Sequence, residues 1–256
     1  MIDGAEEQAA GEGAGKASGP PLLSFRRLWP LLVLAAGFVA FFLFGGDDLM
    51  TFETLRNHRA TLAGWIAQHG LAMAVGYVVV YAVVVAFSLP GGAVMTITGG
   101  FLFGSVQATA LVVVGATIGA TIIFLAAKTA LGDPLRAKAG PALRKMEDGF
   151  RDNAFNYLLV LRLIPLFPFF LVNLVPAFLG MRLRDYVLAT FIGIIPASFV
   201  FAQVGTGLDS IFASGEEPSL DMIMTPDVLT AMLGLAVLAA LPLLYKAIRA
   251  VRGRRA

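Results

Sequence analysis

An apolar stretch that holds both a lone cation and a proline-x-x-proline break constrains this chain more than any other feature. Residues 153–181 carry Arg162, Pro165, Pro168 and Pro176 in a run otherwise hydrophobic enough for a bilayer. Each proline removes a backbone donor and clashes with the preceding turn. Broken backbone at membrane depth persists only where protein or a wet cavity satisfies the freed groups. The pattern predicts a helical hairpin that enters the membrane, breaks near residues 165–168, and leaves on the side it entered.

Composition supports that setting. Of the 256 residues, 58% are hydrophobic and 14% charged, where soluble domains carry about 25% charged residues. A polytopic all-α membrane protein is expected. The pI is near 9.0, yet the basic residues flank apolar runs and the net charge is only +2. Membrane orientation accounts for them, and no nucleic-acid partner is expected. The absence of cysteine excludes disulfides and Cys-ligated metals.

In chain order, residues 1–24 form a Gly-, Ala- and Glu-rich tail expected to be disordered and cytoplasmic. Residues 25–69 hold an anchor, with Arg26 and Arg27 ahead of the apolar run 28–45, and then a polar outer loop in which Trp65 and Ile66 suit an interfacial helix. The core is expected over residues 70–207. It opens with an apolar arm that stops at Pro90, Gly91 and Gly92, and continues through a glycine-rich turn with Gly99 and Gly100 that closes at Gly104. A long span at 106–131 follows, with Gly115, Ala116, Gly119 and Ala120 suited to close helix packing. Residues 132–152 are charged in both signs and read as a solvated or interfacial helix. After the central hairpin comes a span at 186–206, interrupted at Pro196. Residues 208–256 then hold an acidic outer loop, a last span at 228–248 and a basic tail.

Charge placement sets the expected topology. If residues 71–104 and 154–180 are both re-entrant hairpins, four crossings remain, at 28–45, 106–131, 186–206 and 228–248. Of the 19 basic residues, all but Arg56, Arg59 and Arg162 then lie inside, with both termini cytoplasmic. A fifth crossing would strand one terminal basic cluster outside. The halves then match: apolar arm, proline break, glycine-ended return arm, long span. The first hairpin opens outward and the second inward, an inverted repeat. Broken helices at matching positions of such halves point to a midplane site in transporters.

The same residues resemble the VTT-domain family. Leu89, Pro90, Gly91 and Gly92, followed by Gly99, Gly100, Phe101, Leu102, Phe103 and Gly104, resemble its first half. Phe155, Leu158, Leu159, Leu161, Arg162, Leu163, Pro165, Pro168 and Phe169, with Asn173 and Gly180, resemble its second. The likeness covers roughly residues 70–207. The family comprises bacterial DedA-like proteins and SNARE-associated Golgi proteins, and this chain looks closer to the Golgi-protein-like bacterial branch. It departs from DedA proper in two ways: residues 71–104 hold no acidic residue, and Pro168 stands where a second arginine is usual. The resemblance implies two facing re-entrant hairpins, a multi-pass protein of the bacterial inner membrane, and a role in lipid homeostasis such as scrambling or flipping phospholipid or polyprenyl phosphate.

Candidate substrate contacts are Arg162, Asn173, Pro165, Pro168, Pro90, Gly91, Gly92, Gly99 and Gly100. A cation at mid-membrane costs about 2.5–3.5 kcal/mol on insertion scales, so Arg162 needs a role. It either meets a lipid phosphate or other anion between the hairpin tips, or clamps carbonyls freed by the prolines, or snorkels inward. Asn173 is read as a staple between hairpin arms or a substrate contact. The glycines serve turns and close packing, or bare N–H groups to an anion. His58 and His69 have no partner at ligand spacing, and no catalytic or nucleotide motif is present. No enzyme activity, metal or cofactor is expected. Three functions stay open: an anionic-lipid translocase, a small-ion or oxyanion transporter, and a non-transporting lipid-binding organiser. Membrane lipids are the expected partners, with a homo-oligomer possible.

Overall fold

The computed structural model describes residues 25–46, 51–132, 153–163 and 169–208, with isolated positions between 226 and 241. Pro165, Pro168, the N-terminal tail, the charged segment 133–152, the acidic loop, most of the last span and the basic tail lie outside the described residues. Every regular element described is helical: α1 (Phe25–Leu43), α2 (Phe52–Ala86), α3 (Gly92–Phe103), α4 (Ser105–Ala127), α5 (Ala154–Leu163), α6 (Phe169–Phe178), α7 (Leu183–Gly193) and α8 (Ile195–Thr206). Three helical runs are long and apolar enough to cross a membrane: Ala60–Ala86, Ser105–Ala130 and Leu183–Thr206. The apolar part of α1, Leu28–Leu43, is shorter.

The segment read as a polar outer loop is instead the first half of α2. Thr51 caps it by accepting the Thr54 N–H at 3.2 Å, and Glu53 sits in the first turn, where a negative charge meets the positive end of the helix. The helix runs 35 residues, but His69 leaves helical geometry at φ −136° and ψ 39°. That kink falls at the boundary drawn between the polar segment and the core. Leu55, ahead of the kink, is buried with Ile97 and Leu208, so the polar half of α2 packs on the middle of α3 and on the chain just past α8.

The glycine-rich segment at 98–104 is also helical, not a turn, up to Phe103. Only Gly104 turns the chain there, at φ +78°. Inside α3, a methyl group on Gly100 would overlap the Ala202 carbonyl, and one on Gly205 would overlap the Ile97 carbonyl. The α3–α8 crossing is therefore backbone against backbone. Side-chain propensity cannot account for these glycines; the approach of two helices can.

Helix α4 is the hub. It packs against α2, α3, α6, α7 and α8, and its buried side is small: Gly115 lies on Val78 and Tyr81, and Gly119 on Ala82 and Val85. The span at 186–206 appears as α7 and α8, separated only at Ile194, with Pro196 in the first turn of α8, a position where proline's missing donor costs little.

Candidate functional site

Helices α5 and α6 are ten residues each. They lie on either side of the proline-bearing segment, which is outside the described residues, and Arg162 falls in the last described turn of α5. It is buried, with 8% of its surface exposed, so it does not snorkel. Its Nη2 donates to Asn173 Oδ1 at 2.8 Å, Thr190 Oγ1 at 3.1 Å and the Tyr186 hydroxyl at 3.2 Å. Those acceptors stand on α6 and α7, and none is a backbone carbonyl. Arg162 also lies 5.8 Å from the Phe169 ring centre and 5.7 Å from that of Tyr186, within reach of cation–π attraction.

Tyr186 carries the network to the hub. Its hydroxyl reaches the Ala120 carbonyl and Asn173 Oδ1, both at 3.2 Å, and its ring stacks on Phe124 with centres 4.2 Å apart. One guanidinium thus joins α5, α6 and α7, and Tyr186 adds α4. Satisfaction is incomplete. Arg162 Nε and Asn173 Nδ2 are buried without a hydrogen-bond partner. Among the described residues no carboxylate pairs with Arg162. Among the described residues its positive charge meets neutral oxygens and ring faces.

The first hairpin faces this arrangement. Helix α2 ends at Ala86, the chain turns through residues 87–91, and α3 begins at Gly92 with Gly91 at φ +101° as its cap, a conformation natural to glycine. Tyrosine hydroxyls hold the arms together. Tyr77 donates to the Met95 carbonyl at 2.8 Å, and the Tyr81 and Thr96 hydroxyls lie 2.9 Å apart. Between the two hairpins lies a cavity of about 370 Å³. Pro90, Gly91 and Gly92 form one wall and Arg162 with Phe169 another; Ala116 of α4 and Ser198 of α8 close further sides. Pro90 and Phe169 are both exposed at its rim.

The sequence-predicted residues therefore divide. Arg162, Pro90, Gly91 and Gly92 meet at the cavity. Asn173 is fully buried behind it and joins the hairpin arms through Arg162. Gly99 and Gly100 face helix contacts, with Tyr77 against Gly99 and the Ala202 backbone against Gly100, because each lies in mid-helix away from the turn. Sequence reasoning missed Tyr186, Thr190, Tyr81 and Thr96. A signal existed: Tyr186 and Thr190 are four apart in an apolar span, on one helix face. Among the described residues no cluster of His, Asp or Glu suited to a metal occurs.

Residues 89–207 match the VTT domain. The chain is 34% identical over 172 residues to a transmembrane protein 41 homolog of Dictyostelium discoideum, covering 66% of this chain and 49% of that one. It is 29% identical over 174 residues to the Caenorhabditis elegans homolog, covering 67% and 68%. With transmembrane protein 41B of Xenopus laevis it shares 29% over 176 residues, covering 67% and 61%. The chain thus spans about half to two thirds of the length of these relatives. All three are eukaryotic, so they do not bear out the expected bacterial branch or a bacterial inner membrane. No solved structure matches.

Proposed function

We propose that this membrane protein, which carries a VTT domain at residues 89–207, moves an anionic lipid between leaflets. The observation that carries the reading is Arg162: a buried cation without a carboxylate partner among the described residues, on the wall of a cavity opposite a second chain break. A polar head crossing about 30 Å of hydrocarbon needs a shortened path with hydrogen-bonding groups along it. The cavity offers an arginine, the hydroxyls of Tyr81, Thr96 and Ser198, and the broken backbone at residues 90–92. Its remaining walls, such as Val84, Val112 and Phe201, are apolar, which suits a lipid's upper acyl chains.

The length of α3 supports a re-entrant return arm. It has 12 residues between Gly91 and Gly104, so at about 1.5 Å per residue it reaches only about 18 Å, short of the roughly 30 Å hydrocarbon core. Both return arms end in a glycine at positive φ, Gly104 at +78° and Gly180 at +71°. Each hairpin also packs across the repeat, α3 on α8 and α6 on α4. The first arm departs from this pattern: α2 kinks near His69, and its apolar part, within the run Ala60–Ala86, is long enough to cross rather than stop midway.

A proteoliposome assay that follows fluorescent phospholipid in both leaflets tests the proposal. Wild-type protein should equilibrate the label, and Arg162→Ala should lose at least tenfold in rate while remaining folded. Folded wild-type protein that moves no lipid sinks the reading. If it passes a small anion at an Arg162-dependent rate instead, the same cavity serves an oxyanion transporter. The three bonds from Nη2 favour a further reading, a structural clamp in a lipid-binding organiser. There Arg162→Ala would lower thermal stability first and leave activity per folded molecule unchanged.

A further inference from the structure

The hydroxyls on the cavity wall belong to Tyr81, Thr96 and Ser198. Those of Tyr81 and Thr96 lie 2.9 Å apart, and Thr96 donates to the Gly92 carbonyl at 2.7 Å. The Ser198 hydroxyl has no hydrogen-bond partner among the described residues. A hydroxyl in an apolar helix commonly settles on the carbonyl one turn back. Thr96, Thr109, Thr121 and Thr129 all do so, at 2.6–2.9 Å. Ser198 departs from them: the Ile194 carbonyl takes its backbone N–H at 2.9 Å and not its side chain. The Ser88 and Thr117 hydroxyls are also without partners, but they are shut off inside the protein. Ser198 is only 7% exposed, yet its oxygen is not among those shut-off atoms, and the residue lines the cavity. Ile194, Ala197 and Phe201 line it too, at spacings of three and four residues that put all four on one face. Val112 and Ala116 of α4 extend this side of the cavity. The hydroxyl is thus a lone polar group in an apolar wall.

We infer that Ser198 is a specificity-determining contact whose hydroxyl donates to an acyl-ester carbonyl of a lipid in the cavity. The inference rests on the transport reading above and names a part of the substrate recognised there. An ester carbonyl is an acceptor set among methylenes, so it matches a single donor flanked by apolar side chains. Away from water each of the two groups needs a partner, and each supplies the other's. An ether-linked lipid carries no carbonyl at that place and leaves the hydroxyl unpaired. Sites that pair a polar group of the ligand reject the analogue that lacks it. The class favoured is therefore an ester-linked glycerolipid over its ether-linked counterpart.

The detergent-solubilised full chain is titrated with dioctanoyl phosphatidylglycerol and with its dioctyl-ether analogue. Affinity is read from the rise in melting temperature with lipid concentration. Wild type should bind the diester roughly three- to tenfold tighter, the worth of one net hydrogen bond. Ser198→Ala should melt with the wild type in the absence of lipid, because no hydrogen bond within the protein is lost. It should bind the two lipids equally. Thr117→Val removes a shut-off hydroxyl instead and should keep the wild-type preference.

Equal affinity of the wild type for the two lipids, or binding of neither, overturns the contact. So does a preference that survives Ser198→Ala. A Ser198→Ala protein that melts well below wild type overturns it too, since the hydroxyl would then have its partner within the fold. The two proposals separate in proteoliposomes. Wild type that moves both lipids yet binds them equally removes the contact and leaves transport standing. An Ser198-dependent ester preference in a wild type that moves no lipid does the reverse.

Discussion

The two hairpins solve one problem with different chemistry. In the first, α2 and α3 are held by neutral hydroxyls, Tyr77 on the Met95 carbonyl and Tyr81 on Thr96. The return arm is also locked to α8 by glycine contacts at Gly100 and Gly205. In the second, α5 and α6 are joined through a guanidinium on Asn173, which also reaches Tyr186 and Thr190. A hydroxyl that donates to a carbonyl has used its one proton and keeps only acceptor capacity. A guanidinium whose acceptors among the described residues are all neutral retains its charge, and its buried Nε–H has no partner. The first hairpin is thus built as a fixed wall, and the second holds the reactive electrostatics.

The largest effect should come from the backbone lock. Gly205→Leu places a side chain where the Ile97 carbonyl and Phe101 N–H already lie, and folded yield should collapse. Gly193→Ala on the second hairpin's side puts a methyl 2.7 Å from Arg162 Cβ and 3.2 Å from Leu159 Cδ1, a side-chain rather than backbone clash, so it should cost about 1–3 kcal/mol. Equal losses in thermal unfolding would dissolve the distinction between wall and charged arm.

Next is Arg162. Arg162→Lys keeps the charge but replaces the guanidinium's planar fork with a point-charge donor. Transport should fall severalfold, with Arg162→Ala lower still. Lysine at wild-type rate would show that charge alone matters there.

Tyr186→Phe removes the hydroxyl that meets Arg162 and Ala120 and retains the stack on Phe124. It should destabilise by about 1–1.5 kcal/mol and make transport more sensitive to that loss than Tyr77→Phe does. Tyr77→Phe should be the smallest change, about 0.6 kcal/mol as for typical intramembrane hydrogen bonds, with transport intact. A larger functional loss from Tyr77→Phe than from Tyr186→Phe would reverse the roles assigned to the hairpins.

Sequence alone determined the helical membrane class, the break at residues 87–91, and Arg162 as the residue to explain, because each follows from local rules. Apolar length sets a span, proline and glycine interrupt it, and a charge in lipid is costly wherever it falls. The same rules read residues 47–70 as a loop and 98–104 as a turn. Polarity resembles a loop when the neighbours that cover it are unknown, and glycine resembles a turn when the helix lying against it is unseen. Tertiary structure decided those cases: Leu55 buried on Ile97 and Leu208 draws the polar segment into α2, and α8 lying against Gly100 keeps α3 helical. It also decided Arg162's company. Tyr186 and Thr190 lie 24 and 28 residues along the chain, and only the packing of α7 against α5 brings them to the guanidinium. Local chemistry writes which groups need partners, and the packing of distant helices settles which partners they find.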